Sequence, residues 1–208
     1  MNEYKDIWNK NHIEFFTGTI KYDNWLETYL DIIKSCKKAV IDLGCGTGNN
    51  TLYLIERGKS VIACDFAEEA IKIVNENIPS VKTKQFDMKD NFPFDDNVTD
   101  LVIADLCLHY FSFEETKNIL NKIKRILVNN GYLIFRVNSI NDVNNGAMQG
   151  IEIEKHYYEV EGMKKRFFDK DDLLNFFKDF EIIELKEEIM TRYTKPKMLW
   201  KGIVKNKK

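Results

Sequence analysis

Apolar runs and amphipathic stretches alternate along the chain from residue 39 onward. The pattern predicts a strand at 39–43, a helix near 48–57, a strand at 60–65 and a helix near 67–77. Pro79 separates that helix from a strand at 81–87, and a loop with Pro93 leads to a fourth strand, Val98 to Asp105. The next helix carries its own start signal, a capping box of Ser112 and Glu115. Ile119, Leu120, Ile123, Ile126 and Leu127 form its apolar face, and Asn129-Asn130-Gly131 ends it. A fifth strand, Tyr132 to Val137, follows, then an irregular, Asn-rich insertion over 138–165, a helix at about 169–178, and strands at 181–189 and 198–204. Residues 1–35, rich in aromatics (Trp8, Phe15, Phe16, Tyr22, Trp25, Tyr29), are expected to be partly helical. Strands alternating with helices indicate an α/β domain with a largely parallel sheet.

The chemistry concentrates between Ala39 and Phe66. The first strand ends near Asp42, and glycines follow at Gly44, Gly46 and Gly48. Glycine accepts positive φ and lets a ligand lie against the main chain. The helix that follows offers free N–H groups to an anionic group. Asp65 ends the second strand 21 residues beyond Gly44, where a doubly wound fold places a carboxylate for ribose hydroxyls. The ligand implied has a ribose and an anionic group near the glycines.

A dinucleotide fingerprint, G-x-G-x-x-G, requires glycine at position 49, which is Asn49 here. Asp42 would also repel a pyrophosphate, whereas it suits the ammonium of a methionine moiety. This D-x-G-x-G-x-G arrangement resembles motif I of the class I S-adenosylmethionine-dependent methyltransferases. The resemblance runs from about residue 37 to 137 and more loosely to the C-terminus. It implies a doubly wound, three-layer α/β/α Rossmann-like fold, with a seven-stranded, mostly parallel sheet and one reversed strand. It also implies S-adenosyl-L-methionine as cofactor. Gly44, Cys45, Gly46 and Gly48 would form the floor under the methionine portion, and Asp42 would face its amino group directly or through water. Asp65 would take the two ribose hydroxyls and Phe66 would lie against the adenine. Asp87 would accept from the adenine amine, and the Met88 N–H would meet a ring nitrogen. Ala104 and Asp105 would line the cofactor near the sulfonium, although Asp105 is larger than the family's usual serine or alanine and could face substrate instead.

Catalytic residues are not specified by the resemblance. The candidates for handling substrate are Asp105, His109, Tyr110 and Arg136, with His156, Tyr157 and Tyr158 in the insertion. Histidine titrates near neutrality and suits general-base work. Arg136 closes the fifth strand and would clamp an anionic substrate or form a surface ion pair. The segment after strand four reads Ala104-Asp105-Leu106-Cys107, unlike the N-P-P-Y-type tetrapeptide of methyltransferases acting on amide or exocyclic amine nitrogens. The C-terminal third loosely resembles small-molecule methyltransferases of the tellurite-resistance and thiopurine type, where Arg192 would approach the acceptor. Residues 1–30 would form a mobile cover over the cofactor, or else pack on the sheet edge.

Composition narrows the partners. The 208 residues suit one domain, and the net charge of −2 with interspersed signs gives no electrostatic footprint for nucleic acid. The insertion is acidic (Glu152, Glu154, Glu159, Glu161), which argues the same way. No apolar run reaches membrane-spanning length, no signal pattern opens the chain, and the four cysteines lack metal-ligand spacing. These features suggest a reduced, cytoplasmic protein without a metal site. The acceptor class stays open between a small molecule, a macromolecule (protein or RNA), and none at all in a non-catalytic binder.

Overall fold

The computed structural model describes residues 3–208. Helix α1, Glu3–Phe15, is followed by a 3-10 turn, Asn24–Tyr29, that runs into α2, Leu30–Ser35. Strand and helix then alternate: β1 Val40–Leu43, α3 Asn49–Glu56, β2 Val61–Asp65, α4 Glu68–Asn77, β3 Lys82–Gln85 and β4 Thr99–Asp105. Helix α5, Phe113–Ile126, precedes β5, Leu127–Asn138. Three short strands come next, β6 Ile151–Glu154, β7 Tyr157–Val160 and β8 Met163–Arg166. The chain ends with α6 Lys170–Phe176, β9 Phe180–Met190 and β10 Lys197–Asn206.

The main sheet has seven strands in the order β3-β2-β1-β4-β5-β10-β9. Neighbours from β3 to β5 are parallel, and β10 runs antiparallel to both β5 and β9. The expected reversed strand is therefore the last one in sequence. Strand order reverses at β1, between β2 and β4, so the crevice at the carboxyl ends of these strands is where such sheets bind ligands.

Both sheet faces are covered, and the strands show it residue by residue. Ile41, Val102, Leu133 and Phe135 pack with α5 and α6 through Ile119, Ile123 and Phe176. Their alternates Val40, Leu101, Ile103 and Ile134 pack on the opposite face with Tyr53, Leu54 and Val74 of α3 and α4. A strand buried on both faces has to be apolar at consecutive positions, which is why these segments read as unbroken apolar runs.

Helix α5 begins as its capping box predicts: Ser112 Oγ accepts from the Glu115 N–H, and the Ser112 N–H donates to Glu115 Oε2 at 2.9 Å. It ends at Ile126, before Leu127 and ahead of the expected stop at Asn129-Asn130-Gly131. Leu127 is already in β5, which pairs with Thr99 and resumes pairing at Tyr132 after an irregularity containing Asn130 at φ 64°.

The insertion departs more from expectation. Residues 138–165 are not irregular throughout, because β6, β7 and β8 form an antiparallel three-stranded sheet from Ile151 onward. Its second turn places Glu161 and Gly162 at φ 52° and 76°, the left-handed pair a tight hairpin needs. Tyr158, Val160, Phe167 and Ala147 form a small core of its own. Among the described residues no helix is long and apolar enough to cross a membrane.

Candidate active site

A cavity of about 1270 Å³ opens at the carboxyl ends of β1, β2 and β4. The β1–α3 turn forms its floor with Gly44, Cys45 and Gly46, and Asp65, Phe66, Asp87, Met88 and Asp105 also line it. Gly44 has φ 70°, and a Cβ there would stand 2.5 Å from the Cys107 Cβ. Only glycine lets this turn pass under the β4 loop. Gly48 serves a different purpose. It is outside the cavity lining, and its missing Cβ admits Val74 of α4 at 3.0 Å, so it brings helix and turn together.

Asp65 is buried and its two oxygens are already oriented: Oδ2 accepts from the Gly46 N–H at 2.9 Å and Oδ1 from the Ala67 N–H at 3.0 Å. Burial raises its pKa, and these two N–H groups and the neighbouring His12 oppose the rise. Each oxygen keeps a lone pair for a further donor. Asp42 lies one layer deeper, fully buried and outside the cavity lining. Its Oδ2 accepts from the Thr51 hydroxyl at 2.5 Å, while Oδ1 has no partner. Burial, with help from the charges of Asp105 and Asp65, pushes its pKa up to about 7, against the Thr51 hydrogen bond. Asp42 therefore keeps one carboxylate oxygen buried without a protein partner.

Asp105 and Arg136 form one unit. Arg136 donates to both oxygens of Asp105, and its Nη1 donates to Asp23 Oδ2 at 2.9 Å. Its guanidinium also lies 4.3 Å from the centre of the Trp25 ring. Arg136 is thus neither a free clamp for an anionic substrate nor a surface ion pair: it is buried and saturated by two carboxylates. Burial raises the Asp105 pKa, but Arg136, Arg192 and Asn50 together hold it below the usual carboxylate range. A carboxylate so engaged does not act as a base toward substrate.

The remaining candidates separate into two groups. His109 and Tyr110 line the cavity. Burial drives the His109 pKa well below 6.5, with Lys197 and Lys165 adding to it, so its imidazole is neutral at physiological pH. Burial raises the Tyr110 pKa. Tyr157 also faces the cavity and donates to the Tyr110 carbonyl at 3.2 Å. His156 does not; its Nδ1 lies 2.6 Å from Asp172 Oδ2 at the start of α6. Tyr158 is in the small core of the insertion. Arg192 lines the cavity, 3.7 Å from both Asp23 and Asp105.

Helix α1 closes one side. Tyr4, Trp8, Asn11, His12 and Phe15 line the cavity, a three-to-four residue spacing that puts them on one helical face. Trp8 meets Tyr110 edge-on at 5.1 Å, and Asn9 caps the first turn of α4 by accepting from the Glu69 N–H at 3.1 Å. His12, Asp23, Asn50 and Lys197 were not legible as site residues. They come from α1, its connector, the first turn of α3 and a distant strand, and only the tertiary fold brings them together. For His12 the spacing from Trp8 was the available signal.

A model of a methyltransferase domain matches residues 41–135. An uncharacterized methyltransferase of Staphylococcus carnosus (strain TM300) is 24% identical over 194 residues, 92% of this chain and 78% of that protein. A tRNA N(3)-cytidine methyltransferase of Gallus gallus is 24% identical over 161 residues, 69% of this chain but only 42% of that protein. Among solved structures, an S-adenosylmethionine-dependent methyltransferase from Methanosarcina mazei superimposes with a TM-score of 0.74 at 19% identity. That match covers 85% of this chain and 97% of the other, and it establishes a shared fold. Fold, glycine turn and domain match agree: residues 41–135 form a methyltransferase domain, the chain has the fold of S-adenosylmethionine-dependent methyltransferases, and S-adenosylmethionine is its cofactor.

Proposed function

We propose that the enzyme methylates a small molecule held between α1, the β6–β8 sheet and the turn joining β9 to β10. The observation that carries this reading is the seating of α1: its aromatic face walls the cavity, with Trp8 packed on Tyr110. A wall of that kind suits an enclosed acceptor better than a nucleic acid strand, and the net charge of −2 supports the same choice. The relation to a tRNA methyltransferase favours RNA as the second reading, over less than half of that protein's length.

For the cofactor, we assign the floor to the Gly44–Gly46 backbone, with Asp42 beneath it toward the amino group. Asp65 takes the ribose hydroxyls, Phe66 the adenine face, Asp87 the adenine amine and the Met88 N–H a ring nitrogen. Gly48 and Asp42 act from outside the cavity lining, Gly48 by shaping the turn and Asp42 through charge. When bound, S-adenosylmethionine supplies an electrophilic methyl group on a sulfonium.

The chain's own part is alignment, which alone is worth several orders of magnitude in such displacements. Asp105, fixed by Arg136, keeps a stationary negative charge at the end of β4. His109 and Tyr110 are poor bases here, one with a depressed and one with a raised pKa. The acceptor that suits this cavity is one whose nucleophile needs no strong base, such as a thiolate, an amine or a soft anion. We read the chain as one catalytic domain, capped by residues 1–35 and widened by the 138–165 insertion. Four free, buried cysteines accord with a reducing, cytoplasmic location.

The test is incubation with methyl-tritiated S-adenosylmethionine and three acceptor pools: a low-molecular-weight extract, total RNA and denatured protein. Label in the first pool alone is the expected outcome. Label only in RNA or protein would replace this reading with the macromolecular one.

A further inference from the structure

Three large apolar side chains stand at the opening of the cavity on three separate elements: Phe15 at the end of α1, Ile153 in β6 and Ile189 in β9. All three line the cavity. They are also largely open to solvent, at 74%, 47% and 63%. A side chain that is both lining and exposed lies at the lip. One exposed apolar residue is ordinary, whereas several gathered on one concavity mark a binding surface. Ile151, also in β6, is 70% exposed.

Ile189 is set apart from the strands assigned to the cofactor. Asp65 ends β2 and Asp87 follows β3 at one end of the sheet, and Ile189 belongs to β9, the strand at the other end. The cavity, at about 1270 Å³, also exceeds the roughly 300–1,000 Å³ usual for one small ligand. Resting on the small-molecule reading above, we infer that the acceptor carries an apolar chain or ring that leaves the cavity across Phe15, Ile153 and Ile189. Its reacting atom then lies inside, beside the Trp8–Tyr110 wall.

The test uses 8-anilinonaphthalene-1-sulfonate as a fluorescent probe on protein saturated with S-adenosylhomocysteine, displaced by 4-alkylphenols from methyl to hexyl. Displacement should strengthen about three- to fourfold per added methylene, as burial of a CH₂ group in an apolar groove requires. The double variant Ile153→Ser/Ile189→Ser should flatten that dependence. Ile183→Ser, at an exposed β9 position outside the cavity lining, should leave it unchanged. No chain-length dependence in the wild type, the same slope in the double variant, or no probe binding beside S-adenosylhomocysteine would overturn the inference. Calorimetry with S-adenosylhomocysteine on the same samples separates the two levels: intact binding with a flat series rejects only the apolar acceptor, and absent binding rejects the cofactor site itself.

Discussion

Arg136 holds Asp105 through two parallel hydrogen bonds, Nε to Oδ1 at 2.7 Å and Nη2 to Oδ2 at 2.8 Å. The pair joins the ends of β4 and β5, which are register partners in the sheet. Because Arg136 also reaches Asp23, the connector behind α1 is tied to the same point. The wall that α1 forms is thereby anchored to the sheet through one buried guanidinium.

Removing that guanidinium leaves two carboxylates without their partner. Arg136→Met should destabilise the fold by about 3–5 kcal/mol, the cost of stranding a buried charge. Urea denaturation of the variant checks this, and a loss under about 1 kcal/mol would mean that Arg192 can take over the role. The pH dependence has a definite sign. The Asp105 pKa lies below its unfolded value, so the unfolded chain binds more protons as pH drops under about 3.9. The stability from this pair is complete above that pH and is lost progressively below it.

Asp42 titrates in the opposite sense. Its pKa of about 7 is above the unfolded value, so between about pH 4 and 7 the folded protein binds the extra proton. Stability from this group therefore falls as pH rises through that window. An ammonium group placed over Asp42 would favour its charged form, so binding of S-adenosylhomocysteine near pH 6 should release a proton. Calorimetry in two buffers of different ionisation enthalpy measures the release, and Asp42→Asn should abolish it. Equal release in the variant would separate Asp42 from the ligand's amino group.

Helix α1 walls a cavity whose filling should hold it in place. Its contacts to the body run through Trp8 on Tyr110 and Asn9 on the first turn of α4. Amide exchange across Glu3–Phe15 should slow at least about tenfold on adding S-adenosylhomocysteine, since local opening would then also expose the ligand. Trp8→Ala should abolish most of that protection. Exchange in α1 that ignores the ligand would leave the helix as static packing.

Much of this was readable in the chain, for physical reasons. Consecutive apolar residues such as Val40 and Ile41 marked strands buried on both faces, and Ser112 with Glu115 marked a helix start by local chemistry. The β6–β8 sheet escaped because its first turn uses His156 at φ 61°, where no glycine signals a hairpin. The engagement of Arg136 was invisible as well. Asp23 and Arg136 lie 113 residues apart, and nothing local tells a strand-end arginine that it will be saturated. Gly48 shows the converse limit: its spacing fits the glycine motif, yet its missing Cβ makes room for Val74.

The central claim is that a cofactor with a ribose sits with its hydroxyls on Asp65. Calorimetric titration of the wild type and Asp65→Ala with S-adenosylhomocysteine, with NADH as control, tests it directly. The account predicts micromolar binding of S-adenosylhomocysteine alone, weakened at least about tenfold by the substitution, which removes a charged acceptor of two hydrogen bonds. Equal affinity in the variant, or binding of NADH in its place, would contradict it.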